Sequence, residues 1–245
     1  MDNAIIQIHD LTVAYDAKPV LWDVDLEIPK GSLAAIIGPN GAGKSTLIKS
    51  ILGLIKPVSG AVHFIMLPEK KLHTHIAYVP QSDSVDWDFP ATVLDVVMMG
   101  RYGHLGWFKR PGKIEKQMAM ETLEKMGIQD YASRQISQLS GGQQQRVFLA
   151  RALIQQAELY FMDEPLKGVD AQTEKSIMNL LKELKKQGKT VIVVHHDLQT
   201  VKEYFDWVSL INIEVIGNGP VEKIFTPELI ARTYNGKPSQ FKEVK

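Results

Sequence analysis

The stretch GPNGAGKS, residues 38 to 45, constrains the fold of this chain more than any other feature of its sequence. It fits the pattern G-x-x-x-x-G-K-[ST], follows the apolar run SLAAII, and leads into TLIKSILGLIKP, which has the period of a helix and ends at a proline. A strand, a glycine-rich turn and a helix in this order form a nest of backbone N–H groups at a helix N-terminus. We therefore expect an anionic phosphate group to bind at this turn.

The residue types in this loop suit a nucleoside triphosphate. Lys44 can reach the β- and γ-phosphates, and the hydroxyl of Ser45 can coordinate Mg²⁺. A glycine-rich turn that only joins a strand to a helix is the alternative, which the intact pattern in its expected context disfavours. The residues that we predict to bind nucleotide are Gly38, Pro39, Asn40, Gly41, Ala42, Gly43, Lys44, Ser45 and Thr46.

The segment LYFMDEP, residues 159 to 165, has the pattern of an apolar strand that ends in two carboxylates. Asp163 at the strand end can hold Mg²⁺ through water, and Glu164 is placed to accept a proton from an attacking water molecule. Taken alone, such a pair is more often a helix cap or a solvated turn. The phosphate loop in the same chain favours the functional interpretation.

The segment LSGGQ, residues 139 to 143, places two glycines at the start of a predicted helix. Ser140 and Gln143 have the spacing of a capping box, and apolar residues follow at helical period. Glycine costs about 0.8–1 kcal/mol in a helix relative to alanine, so Gly141 and Gly142 together give up roughly 2 kcal/mol. A segment that only had to fold would not need them, which indicates that something approaches this backbone closely.

Strand and helix patterns alternate along the rest of the chain. Short β-like runs up to about Pro29 are typical of an antiparallel sheet, and residues 84 to 140 carry mostly helical patterns. From Gly141 onward strands alternate with helices, which predicts a parallel sheet with helices on both faces. The predicted fold class is therefore α/β, with an N-terminal antiparallel β subdomain and an inserted α-helical subdomain.

The composition excludes several classes of site and partner. Lysine plus arginine number 28 and aspartate plus glutamate number 28, so the basic excess that favours nucleic acid binding is missing. The chain has no cysteine, which excludes disulfides and thiolate metal sites. Its N-terminus does not match a signal peptide, and no apolar run approaches the roughly 20 residues that span a bilayer. We expect no nucleic acid partner, and we expect any membrane-spanning part to belong to another chain.

Taken in order, the motifs resemble those of the nucleotide-binding subunit of an ABC transporter over nearly the whole chain. The resemblance implies a P-loop NTPase (RecA-like) core with a mostly parallel sheet. It implies a single ABC-type nucleotide-binding domain over residues 1–245, in which 1–83 and 141–245 form the β and RecA-like core and 84–140 the helical insertion. ATP and Mg²⁺ are the implied cofactors.

The resemblance also assigns roles outside the phosphate loop. His196 in VVHHDL resembles the switch histidine that contacts the γ-phosphate, and Gln81 in YVPQ resembles the loop glutamine that senses Mg²⁺ and the permease. Tyr15 lies where the family places an aromatic ring on adenine, with an ordinary strand aromatic as the open alternative. The implied catalytic residues are Glu164, His196 and Lys44, and the implied Mg²⁺ ligands are Ser45, Gln81 and Asp163.

A homodimer follows from the same resemblance. In the family, two copies face each other head to tail, and the signature helix of one copy contacts the γ-phosphate bound to the other. Bare backbone at the start of that helix would let N–H groups and the helix dipole approach an anion. The residues that we expect to act in trans are Ser140, Gly141, Gly142, Gln143 and Asp170.

Two residues beside the implied site have simpler interpretations. His195 precedes the switch histidine, and because neighbouring residues at a strand end point in opposite directions, we expect His195 to pack or cap. Lys167 stands before the D-loop glycine, where the metal-uptake branch of the family more often has a small residue. We interpret Lys167 as a tolerated surface charge, with altered communication across the dimer as the alternative.

Residues 85 to 111 indicate the cargo, because this stretch resembles the ATPases of bacterial manganese and zinc importers. The resemblance implies two integral-membrane permease subunits, a separate metal-binding solute-binding protein, and a position on the cytoplasmic face of the membrane. The residues that we expect to form the permease docking groove, or simply to belong to the core, are Trp87, Phe89, Met98, Met99 and Trp107.

The expected function is ATP hydrolysis that energises import of a divalent metal ion, manganese before zinc or iron. The alternatives are a soluble ABC ATPase that acts on DNA or ribosomes and a regulatory module that binds ATP without turnover. The single cassette without net charge argues against the first, and Lys44, Glu164 and His196 argue against the second. His73 and His75 would share one face of a strand, but with no carboxylate or cysteine beside them we expect no cargo site there.

Overall fold

The computed structural model describes residues 3–16, 18–68, 70–106 and 109–235, so the predicted groove residue Trp107 lies outside the described residues. Its strands are β1 (Ala4–Tyr15), β2 (Lys18–Pro29), β3 (Leu33–Ile37), β4 (Ser59–Phe64), β5 (Ile76–Val79), β6 (Leu159–Asp163), β7 (Thr190–Val194), β8 (Trp207–Asn212) and β9 (Glu214–Pro220). Its helices are α1 (Lys44–Ile51), α2 (Leu72–His75), α3 (Val93–Met99), α4 (Tyr102–Leu105), α5 (Lys113–Lys125), α6 (Gly141–Leu153), α7 (Ala171–Lys186), α8 (Val201–Tyr204), α9 (Val221–Ile224) and α10 (Pro227–Asn235). Within these four ranges, no helix has both the length and the apolar character that crossing a membrane requires.

The chain divides into two compact units. The first unit consists of residues 1–67 and 178–245, and the second unit consists of residues 68–177. The helical insertion predicted over residues 84–140 lies within the second unit. Its boundaries, and the assignment of the whole chain to one domain, stay predictions.

The first unit contains two sheets. β1 pairs antiparallel with both β2 and β4. In the other sheet, β3 pairs in parallel with β7 and β8, and β8 pairs antiparallel with β9. Every residue of β3 and β7 is buried, as expected for apolar strands covered on both faces. The predicted antiparallel N-terminal sheet and mostly parallel core sheet are therefore confirmed.

The second unit combines the parallel pair β5 and β6 with a group of helices in which α3, α5 and α6 pack on one another. α3 begins at a capping box, because Thr92 Oγ1 accepts from the Asp95 N–H at 3.2 Å and the Asp95 carboxylate accepts from the Thr92 N–H at 3.1 Å. Its buried residues are spaced as one face of a helix. These residues are Val93, Val96 and Val97.

The prediction that His73 and His75 share one face of a strand is wrong. Both belong to the short helix α2, and β5 begins only at Ile76. Lys71, the residue before α2, has a φ of 63°, which turns the chain into the helix. Four residues are too few to show a helical period, whereas the alternation of HTHIAYV resembles that of a strand.

Candidate functional site

The predicted phosphate loop lies in the first unit, between β3 and α1. Gly43 is the N-cap residue of α1 with a φ of 90°, and Gly41 has a φ of 81°. Only glycine adopts this left-handed region without steric cost. Glycines in this conformation turn successive N–H groups of a loop inward, as an anion nest requires.

Two further contacts explain why the loop needs glycine at its ends. A Cβ atom at Gly38 would lie 1.9 Å from the carbonyl oxygen of Ile211 in β8, and one at Gly43 would lie 2.6 Å from Leu21 Cδ2 in β2. Neither position has room for a side chain without movement of its neighbours. Both ends of the loop therefore lie directly against neighbouring strands of the same unit.

Lys44 and the start of α1 give the loop its positive charge. Lys44 is 6% exposed, and its Nζ donates to the carbonyl oxygens of Gly38 at 2.9 Å and Pro39 at 2.8 Å. The first turn of α1 contains no acidic residue, and its N-cap residue, Gly43, makes no side-chain cap. A helix N-terminus, a buried ammonium group and a glycine cradle together fit a phosphate group.

Tyr15 and His196 are the other residues of the first unit that we predicted to contact nucleotide. Tyr15 ends β1 and is 51% exposed, so its ring is accessible for stacking on a base. His196 follows β7 and is exposed. Their contacts with nucleotide stay predictions.

His195, next to His196, is buried. Its Nε2 lies 2.8 Å from Thr200 Oγ1, and its ring packs near the rings of Phe205 and Tyr204 at centroid distances of 5.1 and 6.5 Å. Burial lowers the pKa of His195 below its usual range. The two histidines thus differ in environment, and His195 has the surroundings of a packing residue.

In the second unit, the structure brings together two of the predicted site residues. β6 ends at Asp163, which is 1% exposed, and Glu164 follows with a φ of 53°. Gln81 Nε2 donates to Glu164 Oε2 at 3.0 Å. A left-handed φ is uncommon for a residue other than glycine, and such conformations cluster at functional sites.

Asp163 affects the pKa of a tyrosine on the neighbouring strand. Burial, and in addition the negative charge of Asp163, raise the pKa of Tyr78 on β5 to about 12. Asp163 therefore lies close enough to Tyr78 for its charge to act there, and its role as a metal ligand stays a prediction.

The signature segment begins α6 as predicted. Ser140 is the N-cap residue, and its N–H donates to Gln143 Oε1 at 2.9 Å. Apart from the adjacent residues and the nearby backbone of α6 itself, a Cβ atom added at Gly141 or at Gly142 would meet no atom of the described chain within 4 Å. Unlike Gly38 and Gly43, these glycines have no neighbour in the described part of the chain that excludes a side chain.

Asp170, predicted to act in trans, also has a role within its own chain. Its carboxylate accepts from the Thr173 N–H at 2.9 Å and from Thr173 Oγ1 at 2.7 Å, and these bonds lower the pKa of Asp170. Arg146 on α6 donates to the same Thr173 hydroxyl at 2.6 Å. Sequence reasoning missed this link, although Thr173 stands three residues after Asp170, a spacing typical of a helix N-cap.

The predicted permease groove is only partly exposed. Trp87 is half-buried, its ring meets that of Phe148 on α6 at 4.8 Å, and its Nε1 donates to the carbonyl oxygen of Ser82 at 3.0 Å. Phe89, Met98 and Met99 are also half-buried. The assignment of these residues to a docking groove or to the core stays a prediction.

Comparison with known proteins identifies many relatives. The sequence model described as "ABC transporter" matches residues 21–167. The chain is 61% identical over 234 residues to the zinc transport system ATP-binding protein TroB of Treponema pallidum (strain Nichols), covering 96% of this chain and 88% of that protein. It is 58% identical over 238 residues to the manganese transport system ATP-binding protein MntB of Bacillus subtilis (strain 168), covering 97% of this chain and 95% of that protein.

Solved structures of ATP-binding cassettes also match this chain. A nucleotide-free ATP-binding cassette from an ABC transporter matches with a TM-score of 0.78 and 26% identity, covering 93% of this chain and 97% of the other. A dimeric post-hydrolysis state of an ATP-binding cassette, bound to ADP and phosphate, matches with a TM-score of 0.75 and 29% identity, covering 88% of this chain and 98% of the other.

Proposed function

The chain belongs to the ABC transporter family, and we propose that it is the ATP-hydrolysing subunit of a transporter that imports a divalent metal ion. The observation that carries this proposal is the identity of 58–61% with relatives named for manganese and zinc transport, over nearly the full chain. Manganese is the proposed cargo, because further relatives at 48–49% identity are also named for manganese transport. Zinc is the second candidate, since the relative with 61% identity is named for it.

In this proposal, one set of residues binds ATP and another hydrolyses it. The phosphate loop and the ammonium group of Lys44 bind the β- and γ-phosphates of ATP. Glu164 accepts a proton from the attacking water, and His196 contacts the γ-phosphate. The hydrogen bond from Gln81 to Glu164 supports this assignment, because it orients one carboxylate oxygen of the base.

The residues proposed to hold Mg²⁺ are Ser45, Gln81 and Asp163. Oxygen donors of this kind suit Mg²⁺, which usually keeps several waters and binds through one or two carboxylates. When bound, the ion would neutralise charge that develops on the phosphates. The burial of Asp163 at the end of β6 supports its inclusion.

We further propose that two copies of the chain form the complete site, with Ser140, Gly141, Gly142, Gln143 and Asp170 acting on nucleotide bound to the other copy. The open space at both glycines supports this, because nothing in the described chain occupies it. The dimeric relative with bound ADP and phosphate gives a precedent in the family. The copies would work beneath two permease subunits on the cytoplasmic face of the membrane, supplied by a metal-binding solute-binding protein.

The test of the cargo is metal uptake in cells that lack this chain, with radioactive manganese, zinc and iron supplied in turn. Loss of manganese uptake, restored by the wild-type chain and not by Glu164→Gln, is the expected result. Loss of zinc uptake alone would replace manganese by zinc. Unchanged uptake of all three metals would contradict the proposal.

A further inference from the structure

Arg146, Thr173 and Asp170 form a chain of hydrogen bonds within the second unit. Arg146 Nη2 on α6 donates to Thr173 Oγ1 at 2.6 Å, and Thr173 Oγ1 lies 2.7 Å from Asp170 Oδ2. A guanidinium group has only donors, and an ionised carboxylate has only acceptors. The single hydroxyl hydrogen of Thr173 therefore points at Asp170, while the hydroxyl oxygen accepts from Arg146.

Asp170 is held at the start of α7 by three hydrogen bonds. Its Oδ1 accepts from the Thr173 N–H at 2.9 Å, its Oδ2 accepts from the Thr173 hydroxyl, and its carbonyl oxygen accepts from the Glu174 N–H at 2.9 Å. This is the pattern of a helix N-cap residue. Asp170 is nevertheless exposed, so another chain can reach a residue whose conformation is already set.

Arg146 connects Asp170 to the start of α6. It follows Gly142 by four residues, and residues at this spacing lie on the same face of a helix. The face of α6 that carries Gly142 in its first turn therefore carries Arg146 in its second turn. Thr173 is 4% exposed and Arg146 is half-buried, so the hydrogen bond between them is largely shielded from water. Hydrogen bonds in which one group is charged are stronger than those between neutral groups.

We propose that Arg146 and Thr173 are positioning residues that hold Asp170 and the start of α6 together as one surface for a second copy of the chain. The inference rests on the proposed function, in which both of these segments act on nucleotide bound to the other copy. It adds the two residues that give the segments a fixed relation before the copies meet.

The direction of the effect follows from the ordering that association requires. Surfaces that are ordered before they associate bind more tightly, because the free energy of ordering them does not oppose association. Without the hydroxyl of Thr173, Arg146 no longer holds the segment that carries Asp170, and this segment must be ordered when the dimer forms. Loss of the link therefore weakens the dimer.

The dissociation constant of the ATP-bound dimer tests the inference. It is measured by light scattering over a range of protein concentrations, on full chains that carry Glu164→Gln so that ATP is retained. Thr173→Val removes the hydroxyl and keeps the shape of the side chain. It is expected to raise the dissociation constant about ten-fold, an effect typical of a lost hydrogen bond to a charged group. Arg146→Met should have an effect of similar size.

Two further variants show whether the effect passes through one hydrogen bond. The chain with both Thr173→Val and Arg146→Met should match the weaker-binding of the two single variants, because the two residues act through the same contact. Thr173→Ser keeps the hydroxyl and should dimerise as tightly as the parent Glu164→Gln chain.

Thr122→Val provides the matched control. The Thr122 hydroxyl also donates a hydrogen bond, to the Met118 carbonyl oxygen at 2.7 Å within α5, so the same chemical group is lost elsewhere in the second unit. This variant should leave the dissociation constant unchanged. All variants are compared well below their midpoints of thermal unfolding. A link that only stabilised the folded chain would lower those midpoints and leave the association of folded copies unchanged.

Binding of ATP by the single chain, measured at high dilution, is the second control. It should be the same in every variant, because the phosphate loop belongs to the first unit and Thr173 to the second. The inference is overturned if Thr173→Val dimerises as tightly as the parent, if Thr122→Val weakens the dimer equally, or if the effects of Thr173→Val and Arg146→Met simply add.

The parent chain separates this inference from the proposed function. If Glu164→Gln stays monomeric in saturating ATP, the proposed dimer fails, and the inference fails with it. If Glu164→Gln dimerises with ATP and Thr173→Val in that chain dimerises equally well, only the inference fails.

Discussion

At the residue scale, His195 links burial to the pH dependence of stability. Because burial lowers the pKa of His195 in the folded chain, the unfolded chain binds the extra proton below about pH 6.5. The contribution of neutral, buried His195 to the free energy of unfolding is therefore present above about pH 6.5. It is lost as the pH falls from there through the pKa of His195 in the folded chain. We expect His195→Gln, whose side chain stays neutral, to lose less stability over this range than the wild type.

Urea unfolding at pH 7.5, 6.5 and 5.5 would measure this difference. His63→Gln, a substitution of an exposed histidine, should reproduce the wild-type curve. Equal slopes for His195→Gln and the wild type would show that another group causes the acid sensitivity.

The residues of the candidate site differ in how far sequence alone reveals them. The glycines at 38 and 43 follow from a local pattern, and the structure gives each a steric reason. The pairing of Lys167 with Asp83 joins residues 84 positions apart, and no local pattern encodes it. The sequence therefore predicts only a surface charge at Lys167, because the fold alone brings its partners near it.

At the scale of elements, a substitution in α6 can distinguish the cost of its glycines to helix stability from their proposed role beside the γ-phosphate. A methyl group at Gly142 meets no neighbour within 4 Å in the described chain, so Gly142→Ala should stabilise the folded chain by up to about 1 kcal/mol through helix propensity. In the proposed dimer, the same methyl group would stand between this backbone and the γ-phosphate bound to the other copy. We expect kcat to fall at least about ten-fold, because small displacements of reacting groups are costly.

Denaturant unfolding and steady-state ATP hydrolysis, measured on the same preparation, check both halves of this expectation. Gly103→Ala in α4, where a Cβ would be no closer than 3.4 Å to any neighbour, serves as the control and should keep wild-type kcat. If the Gly142→Ala protein were more stable and equally active, nothing would support a close approach of this helix start to nucleotide bound to the other copy.

Elements whose apolar residues form a clear pattern were predictable from the sequence, whereas short elements without such a pattern were not. β3, β7 and α6 are long or apolar enough for their sequence patterns to identify them. The four residues of α2 carry no such period, and their histidines were therefore assigned to a strand. The capping box at Thr92 shows the opposite case, in which two side chains mark the start of a helix of only seven residues.

At the scale of the whole molecule, the distribution of motifs between the two units explains what sequence could predict. The phosphate loop and His196 lie in one unit, whereas Asp163, Glu164 and the signature segment lie in the other. Each group of residues is recognisable from its own pattern of strand end or helix start. The proposed second copy is different, because the proposal rests on family resemblance and on the open space beside Gly141 and Gly142.

Dimerisation predicts how the rate of hydrolysis depends on protein concentration. If each nucleotide needs groups from two copies, the ATPase rate per subunit should rise with concentration until the dimer saturates, and at high dilution it should fall toward zero. Glu164→Gln should form a stable dimer with ATP, because its nucleotide is not consumed and ligand binding favours the associated state. Light scattering with and without ATP would detect this dimer, and Glu164→Gln without ATP provides the monomer reference. A rate per subunit that stays constant on dilution, together with a monomeric Glu164→Gln protein in saturating ATP, would mean that one copy holds a complete site and that Gly141 and Gly142 serve some other contact.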